Sequence, residues 1–315
     1  MVDAVVSVLD DLVPGGVVQG EMTRGDRVLR WVEAGSGDPV VVLDAGLAEP
    51  GPLAWAPVIA ELATVTQVVA YDRAGIGSSD PAMPLNLDSE LQDLAALIGR
   101  MGPGRVIVVG HSWGGLLAQL VAFSHPDQIA GLVLVDPAHE EVFAQIPLGL
   151  RAVDSLTGWF VEGLYLVGLL GPVLRRTYRP FARRVTDDEQ TCARFLDAYV
   201  ASYGLRRQAR MYRTENRLAR RSIPQMRQLR SRSVLPDVPV VVMSATRGAP
   251  RSIRDRWTSL QADLVRDTNG RHFEVPGVGH AIHQEQPGTV ASIVADTIKD
   301  LRASGAAQSA RAWTT

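Results

Sequence analysis

Three features of the 315-residue chain predict an α/β fold. Continuous apolar runs at Val40 to Leu43, Val106 to Val109 and Leu132 to Val135 suit parallel strands covered on both faces. Longer helical patterns separate such runs, so strand, helix and strand alternate as in a parallel sheet. The rhythm stops between Pro137 and Val234, where the pattern is helical without strands. The expected architecture is a mostly parallel, eight-stranded sheet with helices on both faces and a helical lobe inserted between two of its strands.

In chain order, the expected strands are Val17 to Thr23, Val28 to Ala34, Val40 to Asp44, Gln67 to Tyr71, Arg105 to Val109, Gly131 to Asp136, Val240 to Ser244 and His272 to Val275. The short turn at Gly25-Asp26 predicts that the first two pair antiparallel. Helices are expected over Trp55 to Ala63, Asp88 to Met101, Trp113 to Ser124, Ile253 to Arg266 and Pro287 to Ala303. Residues 1–137 and 234–315 would form the core, and 138–233 a helical cap. Within the cap, Thr186 and Glu189 have capping-box spacing before a run that holds Phe195, Tyr199 and Tyr203.

Composition narrows the function classes. The chain is 46% hydrophobic and 21% charged, with a mean hydropathy of +0.05, enough apolar mass for a large core. A net charge of −2 gives no basic footprint for nucleic acid. The single cysteine, Cys192, excludes an internal disulfide framework and a multi-thiolate zinc site. None of the six histidines has close ligand-type spacing, so no metal or cofactor is implied. The N-terminus has no basic region before an apolar run, and a soluble, cytoplasmic protein is expected. The longest apolar stretch, Leu156 to Leu174, carries Glu162, four glycines and Pro172. It reads as a buried or lipid-facing lid helix rather than a stable membrane insertion.

The chemistry centres on Gly110-His111-Ser112-Trp113-Gly114, which follows one apolar run and opens a helical pattern. A sharp strand-to-helix turn crowds its neighbours, so the flanking positions must lack side chains. Such a turn lifts the Ser112 hydroxyl clear of the sheet and aims the first helical amides at the reacting centre. The alternative is a tight turn and nothing more. A serine nucleophile needs a base. Gly277-Val278-Gly279-His280, after the last strand, presents His280 as the candidate, with His283 three residues on as a capping or packing histidine. An oxyanion needs two backbone donors, expected from the amides of Trp113 and of Leu47 in the loop Ala45-Gly46-Leu47.

The segments VVLDAGL, the following Trp55, YDRAGIGSSD, GHSWGG, GLVLVDPAH, DVPVVVMSA and GVGHAIHQEQP, taken in order, resemble the α/β-hydrolase superfamily of the kind with a cap domain. The resemblance covers about residues 17–137 and 234–304. Two departures stand out. Ala45-Gly46 replaces the family's usual His-Gly, which keeps the glycine but not the supporting side chain. The loop after Val240 to Ser244 lacks the family's usual acid, with Gly248 about where it would fall. Some family members hold the acid after the earlier strand, which here implies Asp136; Asp255 is the rival. Asp72, in YDRAGIGSSD, could serve as a functional carboxylate but is expected to be structural, tying down its glycine-rich loop.

These readings converge on a serine hydrolase of a carboxylic ester, lactone or thioester, with Ser112, His280 and Asp136 as its triad. A cyclase or lyase using the same pocket, or a binding protein with a vestigial site, are the alternatives. The substrate is expected to be small and hydrophobic, with Trp159, Phe160 and His139 as candidate pocket residues. Arg206 to Arg232 holds ten arginines against one acid, Glu215, and reads as a solvated helix face or as a receptor for an acidic carrier protein. His111 is expected to sit beneath the serine turn.

Overall fold

The computed structural model describes residues 2–82, 84–102, 105–145, 148–203, 206–266 and 268–312. Helix α1 (Val2–Leu12) precedes the hairpin of β1 (Val18–Arg24) and β2 (Arg27–Ala34). Then come β3 (Val40–Asp44), α2 (Gly51–Ala54), α3 (Ala56–Leu62), β4 (Val68–Asp72), α4 (Leu87–Met101), β5 (Val106–His111), α5 (Ser112–Ser124) and β6 (Ile129–Val135). Six helices follow: α6 (Glu140–Gln145), α7 (Leu148–Leu166), α8 (Leu170–Val185), α9 (Glu189–Tyr203), α10 (Arg206–Arg221) and α11 (Ile223–Arg232). The chain returns through β7 (Val240–Ala245), α12 (Arg251–Arg266), β8 (Arg271–Val275), α13 (Ile282–Glu285) and α14 (Pro287–Ala312).

The eight strands lie in the order β1-β2-β4-β3-β5-β6-β7-β8. β2 pairs antiparallel with both β1 and β4, and every later pairing is parallel. The central strands β3, β4, β5 and β7 are buried at every residue, as their unbroken apolar runs require. One apolar cluster joins α1, α3 and α14 to one sheet face; a second joins α4 and α5 to the other. The inserted helices share the first cluster, where Phe181 of α8 meets Phe195 of α9 edge to face at 5.5 Å.

Local chemistry explains where the elements depart from expectation. The helix expected over Trp55 to Ala63 is found as α3, and an unexpected short α2 precedes it, kept separate because Pro57 has no N–H to continue the ladder across Trp55. β6 begins at Ile129, before the expected Gly131, because a register shift at Val106/Ile107 lets Ile129 pair with Val106. Helix α1 was not expected; it buries Val8 and Leu9 and packs on α3 and α9.

Candidate active site

The carboxyl ends of β3, β5, β6 and β8 bring the candidate residues to one edge of the sheet, where ligand sites of open α/β sheets form. Ser112 is the first residue of α5, directly after β5, and its φ of +51° is a left-handed conformation that a side chain rarely adopts. The turn can form because its neighbours have no Cβ. A Cβ at Gly110, Gly114 or Gly115 would lie 2.6, 2.6 or 2.8 Å from the carbonyl oxygens of Gly114, Ala45 and Gly110 respectively.

His280, in the loop between β8 and α13, places Nε2 2.9 Å from Ser112 Oγ. Its Nδ1 lies 2.6 Å from Asp136 Oδ2. Asp136 follows β6, is fully buried, and has a φ of +41°. It also accepts hydrogen bonds from the Ala245 amide (3.2 Å), Arg254 Nη1 (2.8 Å) and Gln261 Nε2 (3.0 Å). Burial pushes the Asp136 carboxyl up, but the hydrogen bond and charge of His280, with Arg254 and Gln261, hold it below the usual carboxylate range. Loss of hydration lowers the His280 pKa, and Asp136 opposes that shift without cancelling it. The His280 ring packs on His111 and Trp257, with centroids 4.7 and 5.1 Å away, while 38% of its side chain stays open to solvent.

The rival acid lies elsewhere. Asp255 sits inside α12, 69% exposed, opposite Arg251 on the same helix. Gly248 does stand beside the histidine loop: a Cβ there would be 3.7 Å from the His280 backbone nitrogen, so the loop comes near the site without a carboxylate.

The two expected oxyanion donors sit on segments tied to each other and to the core. Trp113 follows Ser112, and its indole donates to buried Glu90 at 2.9 Å. The Gly114 amide donates to Ala45 O at 3.1 Å, joining α5 to the loop that holds Leu47. That loop is fixed on both sides of Leu47. Arg73 donates to the carbonyls of Ala45 and Gly46, both at 2.6 Å, and the Ala48 amide donates to Glu215 at 2.5 Å. Arg73 also bridges Asp44 (2.7 Å) and Glu215 (3.0 Å), all three buried. This charged knot holds the loop from both sides of Leu47.

Other expectations need correction. Trp159 and Phe160, expected to line the pocket, face outward at 60% and 64% exposure, with Arg213 stacked 3.6 Å over the Trp159 ring. Their apolarity is real, but the face of α7 that carries them points away from the core. His139 is buried, yet its Nδ1 accepts from the Glu141 amide at 3.1 Å, which ties it to the start of α6. It borders a surface cavity of about 250 Å³ with Phe123, Arg230 and Leu260. Asp72 behaves as expected, accepting from the amides of Gly51 (3.0 Å) and Ser78 (2.8 Å). In the arginine-rich stretch, Arg210 and Arg213 pair with Glu162, Arg227 with Glu141, and Arg230 with Glu140. Much of that charge is therefore spoken for within the molecule.

Sequence spacing suggested no metal-type cluster, but the fold assembles one. Ligand atoms of Glu49, His111 and His283 lie within 4.8 Å of one another and could hold a metal ion. Two of these groups also have structural work. His111 Nε2 contacts His280 O at 3.0 Å, and Glu49 Oε2 accepts from the Gly46 amide at 2.9 Å. Burial raises the Glu49 carboxyl, but His111, His283 and that amide bring it down to about 2.

Arg254, Gln261, Glu49 and Arg73 were not anticipated. The first two left one faint signal: Arg254, Trp257 and Gln261 recur at i, i+3 and i+7, a polar-aromatic stripe where α12 would otherwise bury apolar side chains.

A family model described as "Alpha/beta hydrolase family" matches residues 27–293. Lipase LipV of Mycobacterium tuberculosis is 48% identical over 71 residues, 22% of this chain and 27% of its own. Epoxide hydrolase 4 of Mus musculus is 32% identical over 119 residues, 36% of this chain and 33% of its own. The matched stretches thus span about a third or less of these relatives. Among solved structures, the Cif epoxide hydrolase from Acinetobacter nosocomialis superposes with a TM-score of 0.73 and 17% identity, covering 94% of this chain and 95% of that one. At that identity the likeness is one of fold.

Proposed function

Because the chain belongs to the alpha/beta hydrolase family, we propose that it is a serine hydrolase that cleaves a carboxylic ester, lactone or thioester through an acyl-enzyme on Ser112. The observation that carries this reading is the continuous relay from Ser112 Oγ through His280 to Asp136, with contacts of 2.9 and 2.6 Å. A neutral His280 accepts the Ser112 proton as the oxygen adds to the carbonyl carbon. Asp136 keeps Nδ1 protonated and stabilises the imidazolium that forms. The amides of Leu47 and Trp113 receive the negative oxygen of the tetrahedral intermediate. The imidazolium then protonates the leaving group. Water, deprotonated by the same histidine, cleaves the acyl-enzyme and restores Ser112.

The relatives include epoxide hydrolases, and the nucleophile argues against that substrate here. Serine opening of an epoxide would leave an alkyl ether on Oγ. An ether has no carbonyl for water to attack, so the enzyme would stop after one turnover. An acyl group on the same oxygen is an ester and can be hydrolysed.

The test is a fluorophosphonate label, mapped by peptide mass spectrometry, followed by turnover of short p-nitrophenyl esters. Labelling at Ser112 with ester turnover is the expected result. Labelling without turnover would favour a non-hydrolytic acyl reaction in the same pocket. Ser112→Ala should cost on the order of 10⁴ to 10⁶ in rate while leaving the fold intact; activity retained within about tenfold would end the proposal.

A further inference from the structure

We propose that the corner where α7 turns into α8 seats the molecule on an anionic lipid surface. Leu156, Trp159, Phe160, Leu166, Val167 and Leu169 are each more than half exposed there. Seven of the eleven large exposed hydrophobics among the described residues fall between 156 and 173. A concentration of this kind on an otherwise ordinary surface marks an interaction site.

The geometry favours lying on a membrane over crossing one. No single helix is long and apolar enough to span, and the segments Leu156–Leu166 and Leu170–Val185 meet at a bend of 119°. Gly168, at φ +72°, makes the turn. Such a corner can enter the headgroup and upper acyl region to a depth of about 5–10 Å. Beyond the bend, α8 buries Leu174 and Phe181 and turns basic side chains outward.

Charge identifies the occupant. Residues 163–186 hold five arginines and no aspartate or glutamate. Arg175, Arg179 and Arg183 meet Asp197 and Glu189 of α9, while Arg176 and Arg184 are exposed. The one acid within Leu156–Leu166, Glu162, is held by Arg210 and Arg213. Aromatic and aliphatic side chains fringed by arginine match an anionic bilayer interface. A second copy of this chain would set one arginine fringe against another across a two-fold axis, which like-charge repulsion opposes. The docking face needs nothing from the chemistry at Ser112, so its test does not use activity.

The full chain is sedimented with sucrose-loaded vesicles of phosphatidylcholine, with and without about one third phosphatidylglycerol. Wild type should pellet with the anionic vesicles, and less so as salt rises. Trp159→Glu with Phe160→Glu, and separately Leu166→Glu with Val167→Glu, should each weaken binding about tenfold or more with unchanged melting temperature. Arg176→Glu with Arg184→Glu should remove the preference for anionic vesicles. Wild type that stays in the supernatant, or variants that pellet equally, would overturn the proposal. So would a concentration-dependent dimer abolished by the same apolar substitutions, because the face would then belong to a second copy.

Discussion

Asp136 holds His280, Arg254, Gln261 and a backbone amide on one buried carboxylate. Asp136→Asn removes the charge and favours the wrong His280 tautomer, so kcat should fall by about 10⁴ with the fold retained. Asp255→Asn alters an exposed group on α12 and should change kcat less than about twofold. The reverse ranking would return the acid to the later loop. His280 must be neutral to accept the Ser112 proton. Activity is therefore present above its pKa and lost as pH falls through it. Because the site lowers that pKa, the acid limb of kcat/KM should have its midpoint below the ordinary value of about 6.5. Ser112, His280 and Asp136 could be picked out in the sequence because each ends a strand or follows one in a glycine-rich or family-like setting. Arg254 and Gln261 could not, since only the fold brings α12 across the end of β6.

Among the elements, α10 has an unexpected task. Its one acid, Glu215, reaches Arg73 and the Ala48 amide, and so fastens the loop that presents Leu47. Glu215→Gln breaks a buried ion pair and leaves Arg73 with Asp44 alone. A loss of about 3 kcal/mol is expected, lowering the melting temperature by several degrees. With the Leu47 loop loosened, kcat should fall more than KM rises; an unchanged kcat would separate the loop from the chemistry. The central strands β3, β4, β5 and β7 were legible because a strand buried on both faces must be an unbroken apolar run, whereas the half-exposed β1, β2 and β8 showed only in short β-branched or alternating stretches beside turns. Their limits moved by a residue or two where pairing geometry, rather than composition, decides the end. The helices between β6 and β7 were legible as helical, but not which way each one faces. The outward turn of Trp159 and Phe160 is the clearest case: apolarity announces that a surface will be covered, not by what.

For the molecule as a whole, chemistry and surface recognition occupy different places. The relay sits at the sheet edge, and the exposed apolar corner lies on the outside of the inserted helices. Phe160→Ala should leave kcat/KM for short, soluble p-nitrophenyl esters within about twofold in buffer free of lipid. A reordering of acyl-chain preference by that substitution would place Phe160 on the substrate path after all. The overall charge of −2 gives no hint of this division, because acids in residues 1–137 and 234–315 offset the arginines concentrated in residues 138–233.

The first inserted helix, α6, begins at Glu140, four residues after Asp136, yet the junction is bolted down. The Pro137 carbonyl accepts from both Trp257 (2.7 Å) and Gln261 (3.0 Å), the second of which also holds the Asp136 carboxylate. Anything that tilts or reshapes the six helices must pull against this double latch before it can disturb the relay. The latch works as a mechanical insulator. It keeps strain in the outer helices from reaching the acid, and leaves Glu215 of α10 as their separate tie to the Leu47 loop.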